Sequence, residues 1–353
     1  MSRLLAICLL FAFLLVSCIT APMPATQAPM NPQSSPTTVV QPSPRTDEFQ
    51  NPVIRVDFPD PFVLEVDGIY YAYATNASGK NVQVARSENL VDWKQQPDAM
   101  PGLPKWAKLT GGLTWAPEVI QNGEQFLLYF TTRDKETNKQ CVGVALSDAP
   151  EGKFKDISEK ALVCQSELGG TIDASPFRDG DKLYLLYKND GNCCGIPTHI
   201  YIQELAPDGL SLVGEATDLI RNDDPWEGHV IEAPTMVKHN DVYYLFYSAN
   251  DYAGLPYAVG YAVCDTATGP CIKAEENPIL ISDVAEKPYI IGPGHQSLLQ
   301  IGDQTWIIYH VWEMLPSGLR GQQRQVWMDR LDWKDGHPVL IGPTRLPQIK
   351  PLP

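Results

Sequence analysis

Short runs of aromatic and β-branched residues alternate with Gly, Asn and Asp turns from about residue 49 to the end of the chain. No helical period of apolar residues persists for more than a turn or two. Outside the repeat described next, such runs predict strands at 83–87, 142–147, 199–204 and 259–264. Because runs of this composition bounded by turn residues are typical of strands, the pattern predicts an all-β domain.

Five segments repeat one pattern, in which an apolar opening leads through a polar element near a proline to a turn and an aromatic strand. The aligned anchors are Pro61, Pro117, Pro176, Pro234 and Gln296, at spacings of 56, 59, 58 and 62 residues. A period of this length, built of short strands, is typical of propeller blades. The sequence therefore predicts a five-bladed β-propeller with about four antiparallel strands per blade, and the regular spacing disfavours a solenoid or two β-sandwiches.

The first strand of each blade lines the central axis of a propeller, so residues at one repeat position converge on one cavity. In this alignment the axial positions hold Asp60, Ala116, Ser175, Ala233 and His295. Trp115, Asp173 and Glu232 lie beside them on the same strands. Hydrolysis of a glycosidic bond needs two carboxyl groups, and a third nearby raises the pKa of the acid. The predicted pocket therefore has the residues that a glycosidase requires.

The inner-strand motifs resemble the successive blade motifs of glycoside hydrolase family 43. They are VDFPDPF (56–62), WAPE (115–118), IDASPF (172–177), IEAP (231–234) and GPGHQS (292–297). The resemblance runs in order from about residue 50 to the end of the chain. It implies a five-bladed propeller that acts by inversion on arabinose- and xylose-containing glycans.

The resemblance also implies separate roles for the three acids. Asp60 corresponds to the general base, Glu232 to the general acid, and Asp173 to the residue that orients the acid and tunes its pKa. Taken alone, Asp60 before a proline could be a turn residue and Asp173 could cap a turn. Glu232 lies in an apolar stretch, where a glutamate usually needs a partner or a task.

Further candidates surround this core. His295 could contact substrate or stand beside a calcium or other ion in the central channel, as the resemblance implies, or be a core histidine; no cofactor is required. Trp115, Arg324 and Phe62 are candidate substrate contacts, with a core aromatic or a surface salt bridge as the alternatives. Weaker pocket candidates are Trp226, His229 and Trp312.

Loops decide the substrate. Segments 189–198 and 315–323 could block one end of a groove and so favour exo action. We expect an exo-acting α-L-arabinofuranosidase, with β-xylosidase and endo-α-1,5-arabinanase as alternatives. An interpretation of another class is a non-catalytic glycan-binding surface lipoprotein, which loss of a carboxylate would have favoured.

The net charge of −15 argues against a nucleic-acid partner, because a phosphate backbone requires a basic surface. A neutral oligosaccharide or polysaccharide is compatible with this charge. We expect the protein to act on such a glycan as a monomer.

The N-terminus predicts export. Arg3 and the apolar run 4–16 form a signal peptide over 1–17, and Leu15, Val16 and Ser17 before Cys18 resemble a lipobox. Lipid on Cys18 would be the only membrane attachment, at the outer face of the cell membrane. The alternative is an ordinary signal peptide and secretion. Residues 18–48, rich in Pro, Ser and Thr, predict a semi-rigid stalk before a catalytic domain at 49–353.

Six further cysteines fall in the predicted domain, an even number that favours disulfides in an exported protein. Cys264 and Cys271 flank a short turn and are the best pair, and Cys141 with Cys164 is plausible. The adjacent Cys193 and Cys194 could bridge each other or reach elsewhere. A zinc site is disfavoured, because no Cys-x-x-Cys or histidine cluster accompanies them.

Overall fold

The computed structural model describes residues 47–109 and 113–351. The predicted signal peptide, the candidate lipid-bearing Cys18 and the stalk as far as residue 46 lie outside these residues. Within the described part of the chain, no helix has the length and apolar character needed to cross a membrane.

The described residues form a five-bladed β-propeller, as the repeat predicts. A short strand β1 (Glu48–Phe49) precedes the blades. Blade I contains β2 (Phe62–Val66), β3 (Ile69–Ala74), β4 (Gln83–Ser87) and β5 (Lys94–Gln95). Blade II contains β6 (Trp115–Asn122), β7 (Gln125–Arg133) and β8 (Gln140–Ser147). Blade III contains β9 (Thr171–Asp179), β10 (Lys182–Asn189), β11 (His199–Leu205) and β12 (Leu212–Arg221).

Two more blades and a last strand complete the ring. Blade IV contains β13 (Ile231–His239), β14 (Val242–Ala249), β15 (Ala258–Cys264) and β16 (Cys271–Lys273). Blade V contains β17 (Ile291–Ile301), β18 (Gln304–Met314), β19 (Arg320–Lys334) and β20 (His337–Leu340), and β21 (Gln348–Ile349) follows. Three short 3-10 helices lie in connections, at Ser166–Leu168, Gly191–Cys194 and Pro225–Glu227. All four strands predicted outside the repeat segments are present, as β4, β8, β11 and β15.

Each blade is an antiparallel meander joined by tight turns. Asp67 and Gly68 connect β2 to β3 with φ of 51° and 77°, a left-handed pair that matches the twist of a hairpin. Blade II has three named strands, and an antiparallel bridge between Leu146 and Lys155 stands where the other blades have a fourth strand.

Five apolar clusters pack neighbouring blades together, one at each interface. Tyr73 and Phe130 lie in the cluster between blades I and II, and Leu245 lies in the cluster between blades III and IV. The cluster between blades V and I includes Trp306 and Met328. Because the whole core lies between blades, the inner strands are left free to carry polar side chains at the axis.

The ring closes along a seam between the N-terminal segment and blade V. Ile54 forms an antiparallel bridge with Val326, and the N–H of Phe58 donates to the carbonyl of Arg324 at 2.8 Å. Strand β1 pairs with β21 outside this contact. The seam therefore carries the residues just before Asp60 directly onto β19.

Three disulfides are present among the described residues: Cys141–Cys164, Cys193–Cys194 and Cys264–Cys271. The last joins β15 to β16, as its flanking turn predicts. Cys193 and Cys194 bridge each other within the short helix Gly191–Cys194, which resolves the pairing that the sequence leaves open.

Candidate active site

One irregularity recurs where the inner strand of each blade begins, and in blades II to V it is a β-bulge. Its first residue has a positive φ: Asp60 (56°), Ala116 (43°), Asp173 (55°), Ala233 (54°) and His295 (49°). In blades II to V this residue and the next lie opposite a single residue of the second strand. Left-handed backbone is costly for residues other than glycine, and bulges that re-aim side chains are common beside active sites. The recurring irregularity turns side chains toward the axis.

The bulge corrects one expected position. Alignment on proline places Ser175 at the axial position of blade III, but the left-handed residue there is Asp173. In blades I, II and IV the proline directly follows this residue, whereas in blade III Ala174 follows it and Pro176 comes three residues after Asp173. Asp173 is therefore the structural equivalent of Asp60, and Ser175 lies two residues farther along β9.

The residue on or directly after the second strand that pairs with the residue just before the left-handed position is polar in every blade. These residues are Thr75, Thr131, Lys188, Ser248 and His310. Three of them accept the backbone N–H of the bulge residue in the next blade. The bonds are Ala116 N to Thr75 Oγ1 (2.8 Å), His295 N to Ser248 Oγ (2.8 Å) and Asp60 N to His310 Nδ1 (3.2 Å). They link consecutive blades around the axis.

Asp60 is a buried carboxylate held in its ionised form. Its Oδ1 lies 2.8 Å from Arg324 Nη1 and 3.4 Å from the Nδ1 atoms of His295 and His310, and its Oδ2 accepts the hydroxyl of Thr75. Burial acts to raise the pKa of Asp60, but the positive charge of Arg324, followed by the effect of His295, holds that pKa well below its usual value. Asp60 can therefore accept a proton near neutral pH.

His310 lies beside this carboxylate as a neutral ring. Burial lowers the pKa of His310 to about 4 against the raising effect of Asp60. Its Nδ1 accepts the N–H of Asp60, so a neutral ring carries its proton on Nε2.

The pKa of Glu232 is shifted in the opposite direction to that of Asp60. Burial raises the pKa of Glu232, the Lys188 ammonium lowers it, and the negative charge of Asp173 raises it, with a net upward shift. The hydroxyl of Tyr257 donates to Glu232 Oε1 at 2.7 Å, and Lys188 Nζ lies 3.5 Å from Oε2. A carboxyl with a raised pKa can keep a proton and deliver it.

Gly294 makes room for the hydrogen bond between Tyr257 and Glu232. It occupies the position before the bulge in blade V, and a β-carbon there would overlap the ring of Tyr257. Burial and the charges of Glu232 and Asp60 raise the pKa of Tyr257.

Asp173 fixes the backbone beside Glu232. It is buried, and its Oδ2 accepts the N–H of Ala233 at 3.0 Å. Blade III thus links to blade IV through the bulge residue itself, whereas blades I, IV and V use the second-strand residue. The structure therefore brings Asp60, Asp173 and Glu232 to one axial site.

Arg324 belongs to the wall of this site on blade V. Its guanidinium stands 5.2 Å from the ring of Tyr252 and 5.5 Å from that of Trp312. The indole N–H of Trp312 donates to the carbonyl of Tyr252 at 2.7 Å, and the guanidinium of Arg320 covers the Trp312 ring at 3.9 Å. The wall Tyr252–Trp312–Arg320 thus borders the Asp60 side of the site.

The remaining candidates are less central. Trp115 is half-buried and directly precedes the bulge residue of blade II, whereas Phe62 packs on Tyr73 at 6.5 Å in the cluster between blades I and II. Packing accounts for Phe62, and its part in binding stays a prediction. Trp226 packs on Tyr247 between blades III and IV, and His229 is exposed.

An ion beside His295 stays a prediction. No group of three His, Cys, Asp or Glu side chains suited to a metal occurs in the described ranges 47–109 and 113–351. The guanidinium of Arg324 already supplies the positive charge beside Asp60.

Sequence reasoning missed several members of the site, namely Thr75, Lys188, Tyr257, His310 and Glu118. The second-strand positions do carry a signal, because four of them directly follow an aromatic residue in FT, YK, YS and YH. Glu118 lies on β6, and its pKa is raised to about 8. Burial is the main cause, the charge of Asp173 adds to it, and a hydrogen bond from Ser175 acts against it. Tyr257 comes from a loop and has no repeat signal.

Comparisons with known proteins agree with this geometry. The family model described as Glycosyl hydrolases family 43 matches residues 49–338. The chain is 28% identical to a β-D-galactofuranosidase of Aspergillus niger over 74% of this chain and 75% of that protein. It is 25% identical to an extracellular endo-α-(1→5)-L-arabinanase of Bacillus subtilis over 82% of this chain and 71% of that protein. A solved thermostable family-43 glycoside hydrolase is 35% identical, with a TM-score of 0.78 over 86% of this chain and 99% of that one.

Proposed function

The chain belongs to glycosyl hydrolase family 43 and is a glycosidase, and from this premise we propose that it is an exo-acting, inverting α-L-arabinofuranosidase. The observation that carries the mechanism is the opposite shift of two carboxyl pKa values in one site, downward for Asp60 and upward for Glu232. Environments that drive two titratable groups apart divide the roles of base and acid between them.

In the proposed reaction Glu232 protonates the glycosidic oxygen as the bond from the anomeric carbon breaks. Asp60 takes a proton from a water that attacks that carbon from the opposite face, which inverts the anomer. Asp173 raises the pKa of Glu232 and fixes the backbone beside it, so that the proton is present and correctly placed.

Two observations favour exo action on a furanoside. Asn192 of the loop Gly191–Cys194 accepts a hydrogen bond from Lys188 beside the proposed acid, and the wall Tyr252–Trp312–Arg320 stands on the side of the proposed base, so each side has an element that could block one end of a substrate groove. One relative is named for a galactofuranoside and another for arabinan. A β-D-galactofuranosyl ring shares the ring configuration of an α-L-arabinofuranosyl ring, which makes arabinofuranoside the first choice.

Product analysis tests the substrate and the mode. Linear arabinan should release arabinose alone, since an exo enzyme removes one terminal unit at a time. A ladder of oligosaccharides would instead support endo-arabinanase, and faster turnover of an aryl β-D-xyloside than of an aryl α-L-arabinofuranoside would support β-xylosidase. NMR of the first product should show the inverted anomer, and retention would contradict the mechanism.

Two variants test the roles of the acids. Glu232→Gln should lower turnover of arabinan by about 10²- to 10⁴-fold, the usual contribution of general acid catalysis, while an aryl glycoside with a good leaving group loses far less. Asp60→Asn should abolish turnover of both substrates, because each needs an activated water. A protein that binds glycan without hydrolysing any of these substrates would favour the non-catalytic alternative.

We also propose that the protein is exported and anchored by lipid on Cys18. The N-terminal sequence and three disulfides, which persist in oxidising compartments, support this location. Metabolic labelling with palmitate should mark the wild type and leave Cys18→Ala unlabelled. Release of unlabelled wild-type protein into the medium would favour simple secretion.

A further inference from the structure

Lys188 is a fully buried cation at the axis. Its side chain has 0% exposure, and its ammonium contacts Asn192 Oδ1 at 2.9 Å and Glu232 Oε2 at 3.5 Å. A buried charge is unfavourable unless it is paired, and Glu232 is the carboxyl within ion-pair distance. This lysine therefore has a carboxylate within ion-pair distance when Glu232 is ionised.

Comparison of the blades indicates that the ring does not need a lysine here. The equivalent residues in the other blades are Thr75, Thr131, Ser248 and His310, all shorter and with no fixed charge. Three of them accept the N–H of the next blade, but in blade III Asp173 makes that bond. Lys188 is therefore not needed for the hydrogen bond to the next blade, and its side chain extends toward Glu232.

The charged groups that face Glu232 come from several elements. Asp173 on β9 and His295 on β17 act on it through their charges, and Tyr257 donates to it from the loop before β15. Asp190, at the end of β10, is buried near both Lys188 and Glu232. Of these groups Lys188 lowers the pKa of Glu232 most, so it favours the ionised form of Glu232.

We propose that Lys188 is a positioning residue that stabilises the Glu232 carboxylate formed when Glu232 delivers its proton to the glycosidic oxygen. This inference rests on the proposed function. The proton moves from the Glu232 carboxyl to the leaving oxygen, the bond electrons stay with that oxygen, and Asp60 takes the proton of the attacking water. The new negative charge on Glu232 forms beside an ammonium already held by Asn192, so the site needs no rearrangement to receive it.

The decisive test combines leaving groups with pH. Lys188→Gln removes the charge, Lys188→Arg keeps it, and Lys182→Gln is a control on the same strand, where Lys182 pairs with Glu204 at the exposed surface. We measure kcat/KM from pH 4 to 9 for a series of aryl α-L-arabinofuranosides with leaving groups of increasing pKa. Aryl glycosides with good leaving groups need little proton donation, so they report on the rest of the site.

In K188Q the poorest leaving groups should lose about 10- to 100-fold in kcat/KM, part of the usual contribution of an acid catalyst, while the best should lose less than about threefold. The alkaline limb of the pH profile of kcat/KM should move to higher pH. It falls as the acid loses its proton, and removing a cation raises the pKa of Glu232. K188R should retain most of the wild-type profile, and K182Q all of it.

Equal losses for all leaving groups with an unmoved alkaline limb would overturn the proposal and make Lys188 a packing residue. If K188Q does not fold, Asn192→Asp at the exposed loop tests the same point, since a carboxylate beside Lys188 weakens its effect on Glu232. The alkaline limb should again move upward, and an unmoved limb overturns the proposal. If E232Q keeps its turnover of arabinan, or if the wild-type product has the retained anomer, the proposed function is wrong. If those results are as expected and only the Lys188 and Asn192 variants leave the alkaline limb unmoved, this inference alone is wrong.

Discussion

Replacing Arg324 by methionine isolates the charge that is held against Asp60. Methionine keeps much of the length of arginine, but it removes the guanidinium and with it the contacts of that group with the rings of Tyr252 and Trp312. The pair lies 2.8 Å apart, and its two side chains are 15% and 10% exposed. R324M therefore leaves the carboxylate of Asp60 buried with only the Thr75 hydroxyl and two imidazoles beside it.

The cost follows from the burial of the pair. Two unit charges about 4 Å apart at an effective dielectric constant of about 20 interact by roughly 4 kcal/mol, and removing one partner of a buried pair costs about 3–5 kcal/mol. Protonation of an imidazole and the hydroxyl of Thr75 offset part of this loss. We expect R324M to lower the free energy of unfolding at pH 7 by about 2–4 kcal/mol.

The pH dependence identifies the cause. Because the pKa of Asp60 is depressed in the folded protein, its ionisation stabilises the fold above the ordinary aspartate pKa of about 3.9, and this contribution is lost as pH falls through the folded pKa. R324M lacks most of that contribution. The stability gap between wild type and variant should be full at neutral pH and should narrow as pH falls below about 4.

Urea denaturation at pH 7 and pH 3 measures this difference in the free energy of unfolding between wild type and R324M. The control is Arg330→Met on the same strand, because Arg330 pairs with Asp332 where both side chains are more than half exposed. That exposed pair should contribute about 0–1 kcal/mol at either pH. A cost for R324M no larger than that for R330M, or one that is unchanged between pH 7 and pH 3, would refute the reasoning.

Four further outcomes are expected. Gly294→Ala should push Tyr257 off Glu232 and lower kcat/KM for arabinan about tenfold, with an overpacking cost of about 1–3 kcal/mol in thermal unfolding; unchanged values would contradict the overlap. Ser248→Ala leaves the N–H of His295 without its acceptor and should cost about 1–3 kcal/mol in urea unfolding. Trp312→Ala should raise KM more than it lowers kcat, and the reverse would exclude a binding role. Dialysis against EDTA should leave kcat/KM unchanged. A loss of kcat/KM that Ca²⁺ restores would instead support a bound ion beside His295.

The repeat predicted the fold and placed the three acids because spacing and residue type repeat along the chain. It misjudged the register of blade III, since Pro176 does not occupy the bulge position that proline holds in blades I, II and IV. A bulge tolerates proline because the backbone N–H at that position makes no ladder hydrogen bond, but a bulge can also form without proline.

The contacts of Lys188 and Tyr257 could not be read from the sequence. Lys188 stands where other blades have Thr, Ser or His, and only the hydrogen bond of Asp173 to Ala233 shows why that position is free. Tyr257 reaches Glu232 across the space left by Gly294, a relation between one loop and the inner strands of two blades that no local pattern records.

The seam has a consequence for when the enzyme becomes active. Asp60 opens blade I, whereas its partners Arg324, His295 and His310 all come from blade V, so the base is assembled from the two ends of the propeller. The acid half, with Glu232 and its neighbours, is built mainly from the adjacent blades III and IV. With the proposed roles, the residues of the acid half leave the ribosome or a translocon before the blade V partners of the base. The proposed mechanism therefore requires the last blade to dock before turnover begins, and activity would report that the ring has closed.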